Sequence, residues 1–352
     1  MGGAERLMVD LLPLLNTGGN EVELLLFNGL KTPFKDELQK KGIRIHELSC
    51  WKGIKHHYEV YNPVNVIKLR KFIKGYDIVH THNTACQFYV PLAAMLTTVD
   101  VKFVTTEHST FNRRRSKEWL KSIDRWMYNQ YSGIICISEQ ASTNLKNHIG
   151  QAQKIHTIMN GVNVNSFFRP ITDISVKKCF VVSMIAAFRK EKDHETLLKA
   201  MARLPINYVL QLAGRDFDGK VPQLKQMCAE LGIENRVVFM GPRTDIPDIL
   251  EKSDIAVLSS HWEGFGLSAV EAMAAGRPLI ASDVGGLRDV VQGAGVLFPQ
   301  GDDKELADKI QWLCEHPDDY HEIAERCQER ARQYDISIMA GEYLQLYNTV
   351  FS

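Results

Sequence analysis

The 352-residue sequence is short of the features that mark several protein classes. Cysteine is sparse and unpatterned: Cys50, Cys86, Cys136, Cys179, Cys228, Cys314 and Cys327 make an odd, scattered set of seven with no Cys-x-x-Cys pair. That disfavours a disulfide scaffold and reads as a reducing compartment, with thiols serving as small buried hydrophobes. Net charge is absent, since 42 basic residues meet 42 acidic ones, which argues against a surface wholly given to nucleic acid or membrane. No apolar run approaches the roughly 20 residues of a membrane span, and the start, Met1-Gly-Gly-Ala-Glu-Arg6, lacks the apolar core of a signal peptide. The expected location is cytoplasmic, at most peripheral to the inner face of a membrane. Solenoid repeats and low-complexity tracts are also missing.

What remains is ordinary globular usage, 45% hydrophobic and 24% charged, over a length of about two domains at roughly 150 residues each. The charge is unevenly spread. Residues 1–160 carry 21 Lys and Arg against 14 Asp and Glu, and the remainder carries 21 against 28. A basic front half suits an anionic partner, and equally suits two differently solvated surfaces.

Short β-branched runs alternate with helical patterns throughout, the mark of a parallel α/β architecture. Strands are expected at 21–27, 43–48, 77–81, 101–106, 133–138 and 155–159, then at 179–186, 208–213, 237–240, 254–259, 278–281 and 295–298. Runs such as Ile134-Ile-Cys-Ile137 are apolar almost throughout, as in strands buried on both faces, so each half reads as a doubly wound sheet. A turn-rich stretch near Asn160–Lys178 separates the halves. Ligands of such sheets sit beyond the C-terminal ends of the strands.

The richest loop there is Ser259-Ser-His-Trp-Glu-Gly-Phe-Gly-Leu-Ser-Ala-Val-Glu271. A strand ends near Ser259 and a helix starts near Gly266–Leu267, so the turn of Gly264, Phe265, Gly266 and Leu267 offers N–H groups to an anion the size of phosphate. Glu263 and Glu271 flank it. Carboxylates beside an anion site need another task, and sugar hydroxyls are natural partners; the plainer alternative is a capping Glu263 and a solvated Glu271.

Glu263-Gly-Phe-Gly-Leu-Ser-Ala-Val-Glu271-Ala-Met-Ala-Ala-Gly-Arg-Pro closely resembles the Glu-x7-Glu region of the GT4-type, group 1 glycosyltransferases, retaining enzymes of the GT-B fold. Weaker matches follow in family order: Gly2-Gly-Ala-Glu-Arg6, Val79-His-Thr-His82, Thr105-Thr-Glu-His108, Asn160-Gly-Val162, Lys192-Asp-His-Glu-Thr-Leu-Leu198, Ala213-Gly214 and Asp283-Val-Gly-Gly286. The resemblance implies two Rossmann-like domains facing a cleft. The acceptor-side domain spans 1–165 with a returning C-terminal helix at 336–352, and the nucleotide-sugar domain spans 166–335.

It also implies roles. Glu271 receives the ribose hydroxyls, Glu263 lies near the transferred sugar, and Gly264–Leu267 and Gly214 approach the donor. Lys192 and Arg189 stabilise the leaving diphosphate; many relatives carry arginine at the place of Ala187, so Arg189 fills that role from two residues on. His108 contacts the donor sugar, Gly2 and Gly3 are acceptor-side, and His82 is an acceptor-side or structural residue. No metal or other cofactor is implied: His56-His57 have no evident third ligand, and basic residues do the work of a cation. A hydrolase reading of the two carboxylates fails because Glu271 lies in a helix on the nucleotide side.

Phe111–Tyr128 holds six of the front half's 21 basic residues with Trp119 and Trp126 between them. Trp119, Ile123, Trp126 and Met127 recur at helical spacing, which predicts a helix packed on the sheet. The alternative is that Arg113, Arg114, Arg115 and Lys117 meet anionic lipid headgroups or a lipid-diphosphate acceptor. No nucleic-acid recognition motif accompanies the patch. Family members place a strand before the Gly-Gly turn, whereas this chain opens at it. The expectation is a first domain lacking its first, central strand by N-terminal truncation, with neighbouring strands left unpaired.

The resulting expectation is a metal-independent transferase moving a hexose-type sugar, with retention, from a nucleotide diphosphate to a sugar or lipid-linked glycan, in polysaccharide or glycolipid synthesis. Alternatives are a non-catalytic sugar-nucleotide binder and an NDP-sugar epimerase on the same fold.

Overall fold

The computed structural model describes residues 3–28, 34–49, 60–98, 100–108, 117–150 and 153–351. All twelve expected strands form: β1 (Glu23–Asn28), β2 (Arg44–Ser49), β3 (Ile78–Thr81), β4 (Lys102–Glu107), β5 (Gly133–Cys136), β6 (Ile155–Thr157), β7 (Phe180–Ile185), β8 (Tyr208–Ala213), β9 (Val237–Gly241), β10 (Ile255–Leu258), β11 (Leu279–Ser282) and β12 (Val296–Phe298). The chain divides into two compact units, Met1–Gly161 with Ile336–Ser352, and Val162–Asp335.

The second unit is one parallel sheet in the order β12-β11-β10-β7-β8-β9. Every residue of β10 and β11 is buried. This two-sided burial is why those runs are apolar without alternation. The chain leaves β7 toward β8 on one side and returns to β10 on the other, so the loops after β7 and β10 diverge at the sheet's topological switch point. That position, set by strand order, is where a ligand site is expected.

The strands of the first unit form two parallel sheets, β1-β2 and β3-β4-β5-β6. They share a core: Phe27 and Leu48 pack with Leu69, Ile73 and Val90, and Leu25, Val79 and Phe103 lie against the same cluster. A second cluster joins Leu7, Leu11 and Leu15 of the helix Gly3–Leu15 to Val104, Ile135 and Ile158 of the sheet and to Ile336, Met339, Tyr343 and Leu346 of the helix Ile336–Phe351. The last helix of the chain is therefore a structural part of the first unit.

The aromatic stripe holds in part. The helix Lys121–Asn129 packs on the sheet through Met127 and Tyr128 against Ile134 and Cys136, with Trp126 against the same cluster, while Trp119, in the 3-10 turn before it, is 69% and Ile123 43% exposed. Polar anchors turn the helix: the Asp124 carboxylate meets His148 Nε2 at 2.9 Å, and Tyr128 donates to Glu107 at 2.6 Å. Apolar periodicity cannot register such bonds. Of the described cysteines, Cys136, Cys228, Cys314 and Cys327 are buried, with Cys86 half-buried and Cys179 exposed. Among the described residues no helix is long and apolar enough to cross a membrane.

Candidate active site

The two switch-point loops are tied to each other. After β7 a single 3-10 turn, Lys190–Lys192, leads into the helix His194–Arg203. After β10, the His261 N–H donates to the Glu191 carbonyl at 2.8 Å and Ser259 Oγ donates to the Asp193 carbonyl at 2.8 Å. Lys192 Nζ then reaches Glu263 as an ion pair. A lysine and a carboxylate 71 positions apart are thus brought together beyond the strand ends.

Asp193 makes the entry to this helix possible. It is the sole non-glycine residue with positive φ among the described residues, at φ 46°. Its carboxylate caps the helix, accepting from the Thr196 N–H at 3.3 Å and the Thr196 hydroxyl at 2.6 Å. Left-handed backbone costs a side chain about 1–2 kcal/mol, and a lost cap costs about 1 kcal/mol. Asp193→Ala keeps the strain without the cap and is expected to lower the stability of the second unit by about 1–2 kcal/mol. Asp193→Gly trades one effect for the other and should stay within about 0.5 kcal/mol. Denaturant unfolding of both variants checks this; equal losses would remove the backbone argument.

In the turn after β10, Gly266 occupies φ 95° and no side chain caps the helix Leu267–Ala274 that follows. The Ala269 N–H turns back to the Gly266 carbonyl at 2.9 Å, so an anion here would meet the N–H groups of Leu267 and Ser268 and the positive end of the helix dipole. Close approach shapes the turn from below: a Cβ on Gly286 would lie 2.4 Å from the Glu263 carbonyl oxygen. Gly286 belongs to the Asp283-Val-Gly-Gly286 motif and holds no ligand role in the sequence reading, yet the Glu263 turn rests directly on it. Phe265 is buried and meets the Tyr334 ring edge-on at 5.4 Å, so it anchors the turn in the core. Glu263 accepts from its neighbour's N–H, Gly264, at 3.3 Å. Leu267 and Glu271 lie half-buried one helical turn apart, on the same face.

Arg189 and Lys192 share one backbone turn, the Lys192 N–H donating to the Arg189 carbonyl at 3.1 Å, but engage different partners. The Arg189 guanidinium lies 4.2 Å over the Phe217 ring, which Arg215 also approaches at 4.9 Å, and 3.7 Å from Glu191. Gly214 has a packing reason to be glycine. A Cβ there would fall 1.9 Å from the Ala186 carbonyl oxygen, so the exits of β7 and β8 touch backbone to backbone. An Asp-x-Asp spacing also occurs here, at Asp216-Phe217-Asp218. Its carboxylates serve the backbone: Asp216 accepts from the N–H groups of Lys220 at 2.9 Å and Val221 at 3.1 Å, and Asp218 from that of Lys190 at 3.4 Å. No group of three or more His, Cys, Asp or Glu residues suited to a metal forms among the described residues.

In the first unit, His82 and His108 sit just beyond β3 and β4, and His82 Nδ1 lies 3.1 Å from His108 Nε2. Burial holds both imidazoles neutral, pushing His108 down to about 4 and His82 well below the usual value. Gly3 opens the first helix. Lys117 is exposed. Gly2, Arg113, Arg114, Arg115 and the His56-His57 pair lie outside the described residues.

The sequence model described as glycosyl transferases group 1 matches residues 168–334, and that of glycosyltransferase family 4 matches residues 1–166. N-acetyl-alpha-D-glucosaminyl L-malate synthase of Bacillus anthracis is 26% identical over 99% of this chain and 94% of its own length. A Campylobacter jejuni enzyme, N,N'-diacetylbacillosaminyl-diphospho-undecaprenol alpha-1,3-N-acetylgalactosaminyltransferase, is 31% identical over 62% of this chain and 60% of its own. Among solved structures, Anabaena HepE in complex with UDP superimposes with a TM-score of 0.84 at 25% identity, covering 99% of this chain and 96% of that one. Two family models that abut at the junction of the halves, relatives along the whole chain and a shared fold agree: the chain belongs to the group 1, family 4 glycosyltransferases of the GT-B fold, transferases that act on nucleotide-sugar donors.

Proposed function

We propose that this protein transfers a hexose-type sugar from a UDP-sugar to a sugar or lipid-linked glycan, with retention at the anomeric carbon. One observation carries the donor site: at the switch point of the second unit, Lys192 is held by Glu263 beside an uncapped helix N-terminus. Negative charge develops on the leaving diphosphate as its bond to the sugar breaks. A fixed cation and aligned N–H groups stabilise that charge more in the transition state than in the ground state. Glu271 is assigned to the ribose hydroxyls, Glu263 to the lysine and the transferred sugar, and His108 to a sugar hydroxyl. In the retaining step the acceptor oxygen bonds the anomeric carbon on the face the diphosphate leaves, and the acceptor proton passes to a leaving phosphate oxygen. Lys192 supplies the positive charge, so no metal step is required.

UDP is favoured because the Anabaena structure holds it. A lipid-linked acceptor is favoured by the Campylobacter relative, whose name carries a diphospho-undecaprenol, and by Trp119 and Ile123 standing exposed near Lys117. Such a surface suits a membrane-bound acceptor at the cytoplasmic face.

A thermal-shift panel of UDP, GDP, ADP and their sugars tests the reading. A ligand at 100 times its Kd adds about 2.7 kcal/mol, so UDP and one UDP-sugar should raise the melting temperature by several degrees. That sugar nucleotide should then release UDP in the presence of acceptor and chelator, giving a product of unchanged anomeric configuration by NMR. Release without acceptor would favour an epimerase or hydrolase, and binding without release an inactive module.

A further inference from the structure

The first unit contains a histidine assembly larger than a single sugar-contacting residue needs. His80, in β3, stacks on His82 with ring centroids 4.2 Å apart, and His82 in turn meets His108. His80 is itself fixed at both nitrogens: Nδ1 lies 2.6 Å from the Tyr347 hydroxyl and Nε2 lies 2.8 Å from Thr106 Oγ1. Thr106 Oγ1 continues to the Tyr343 hydroxyl at 3.1 Å. Tyr343 and Tyr347 belong to the helix Ile336–Phe351, whose aromatic edge therefore props the row of rings.

A neutral imidazole carries one proton, so two facing ring nitrogens at hydrogen-bond distance must share one between them. Whichever ring donates, the bond fixes the tautomer of both and leaves Nδ1 as the His108 nitrogen free of His82. From this geometry we infer that His82 is a positioning residue: its Nδ1 locks the tautomer and ring orientation of His108, and His80, held by Tyr347 and Thr106, is the plate against which His82 is set. The inference rests on the proposed role of His108 toward the donor sugar. It replaces an acceptor-contacting role for His82 with one exerted through another ring. It also gives the C-terminal helix a catalytic consequence beyond packing, because the hydroxyl of Tyr347 orients the first ring of the row.

The test uses the full chain with nitrogen-15 histidine, reading the tautomer of His108 by NMR at neutral pH, its signals assigned by their absence in His108→Ala. In the parent protein His108 should show one tautomer. His82→Ala should give averaged ring-nitrogen shifts of a tautomer mixture, and His82→Asn, whose amide offers a donor or an acceptor near the Nδ1 position, should restore the single form. Turnover of the UDP-sugar selected above should fall about tenfold or more in His82→Ala through kcat, with KM for the donor changing less, and recover mostly in His82→Asn. Tyr347→Phe should act in the same direction with a smaller effect. A single tautomer persisting in His82→Ala, or no recovery by His82→Asn, would overturn the positioning role. Full turnover in His108→Ala would instead overturn the reading of His108, whatever its tautomer does.

Discussion

Replacing Lys192 by alanine is expected to cut turnover by about 10²–10³, the usual cost of one fixed stabiliser of developing negative charge. The loss should fall mainly on kcat, because the diphosphate gains its extra charge as the sugar leaves. The Lys192–Glu263 side chains are only 18% and 16% exposed, so removing the lysine also leaves a largely buried carboxylate without its partner, and denaturant unfolding of the variant separates a loss of stability from a loss of rate. Glu263 complicates the measurement, since removing the lysine leaves a carboxylate facing an anionic donor. The double variant Lys192→Ala, Glu263→Gln, compared with Glu263→Gln alone, separates the effects. If Lys192 only neutralises Glu263, the double variant matches Glu263→Gln; if it stabilises the leaving group, the double variant is slower again by about 10²–10³. Steady-state release of UDP, measured on all three variants, decides, and an unchanged rate for Lys192→Ala would remove Lys192 from the reaction.

Arg277→Met should cost the second unit on the order of 3–5 kcal/mol. Arg277 is 1% exposed and gives its guanidinium to backbone carbonyls of Ala275 at 2.9 Å, Ser253 at 3.1 Å and Pro170 at 2.6 Å, and to the Thr172 hydroxyl. Pro170 and Thr172 belong to the segment entering β7, so one planar fork fastens that segment to the start of β10 and the end of the helix Leu267–Ala274. Methionine fills similar volume but leaves those oxygens without donors, at roughly 1–3 kcal/mol each where water cannot enter. A melting temperature lower by about 10 °C follows for a unit of this size. Arg277→Lys should recover only part, because an ammonium cannot span the fork. A shift below about 2 °C in Arg277→Met would show that water replaces the guanidinium.

Arg277 sits in the same Gly-Arg-Pro run that helps mark the glutamate motif, yet its function is invisible there. A sequence shows an arginine after a glycine; only the folded chain shows four oxygens converging from three segments. The same divide runs through the site. Glu263, Gly266 and the start of the helix at Leu267 were legible, because a buried apolar strand, a glycine turn and a helical pattern succeed one another along the chain. The partnership of Lys192 with Glu263 follows from sheet order, which sets β10 beside β7 across 71 residues. Asp193 before His194-Glu-Thr-Leu-Leu198 reads as a helix cap, but its left-handed backbone is visible only in the folded chain. Met127 and Trp126 follow the helical spacing inward, whereas Ile123 is left outside because the helix Lys121–Asn129 is oriented by the Asp124 and Tyr128 hydrogen bonds.

By itself the sequence determined the twelve strands, the alternation with helices and the two-domain plan, since burial on both faces of a strand is written directly into local runs of apolar residues. It also determined the family, through the run from Glu263 to Pro278. The tertiary structure alone decided that Arg189 turns to Phe217 while Lys192 turns to Glu263, and that three histidines and two tyrosines form one row. These depend on pairings between distant segments, where direction and distance arise only when the sheets and the last helix are packed together.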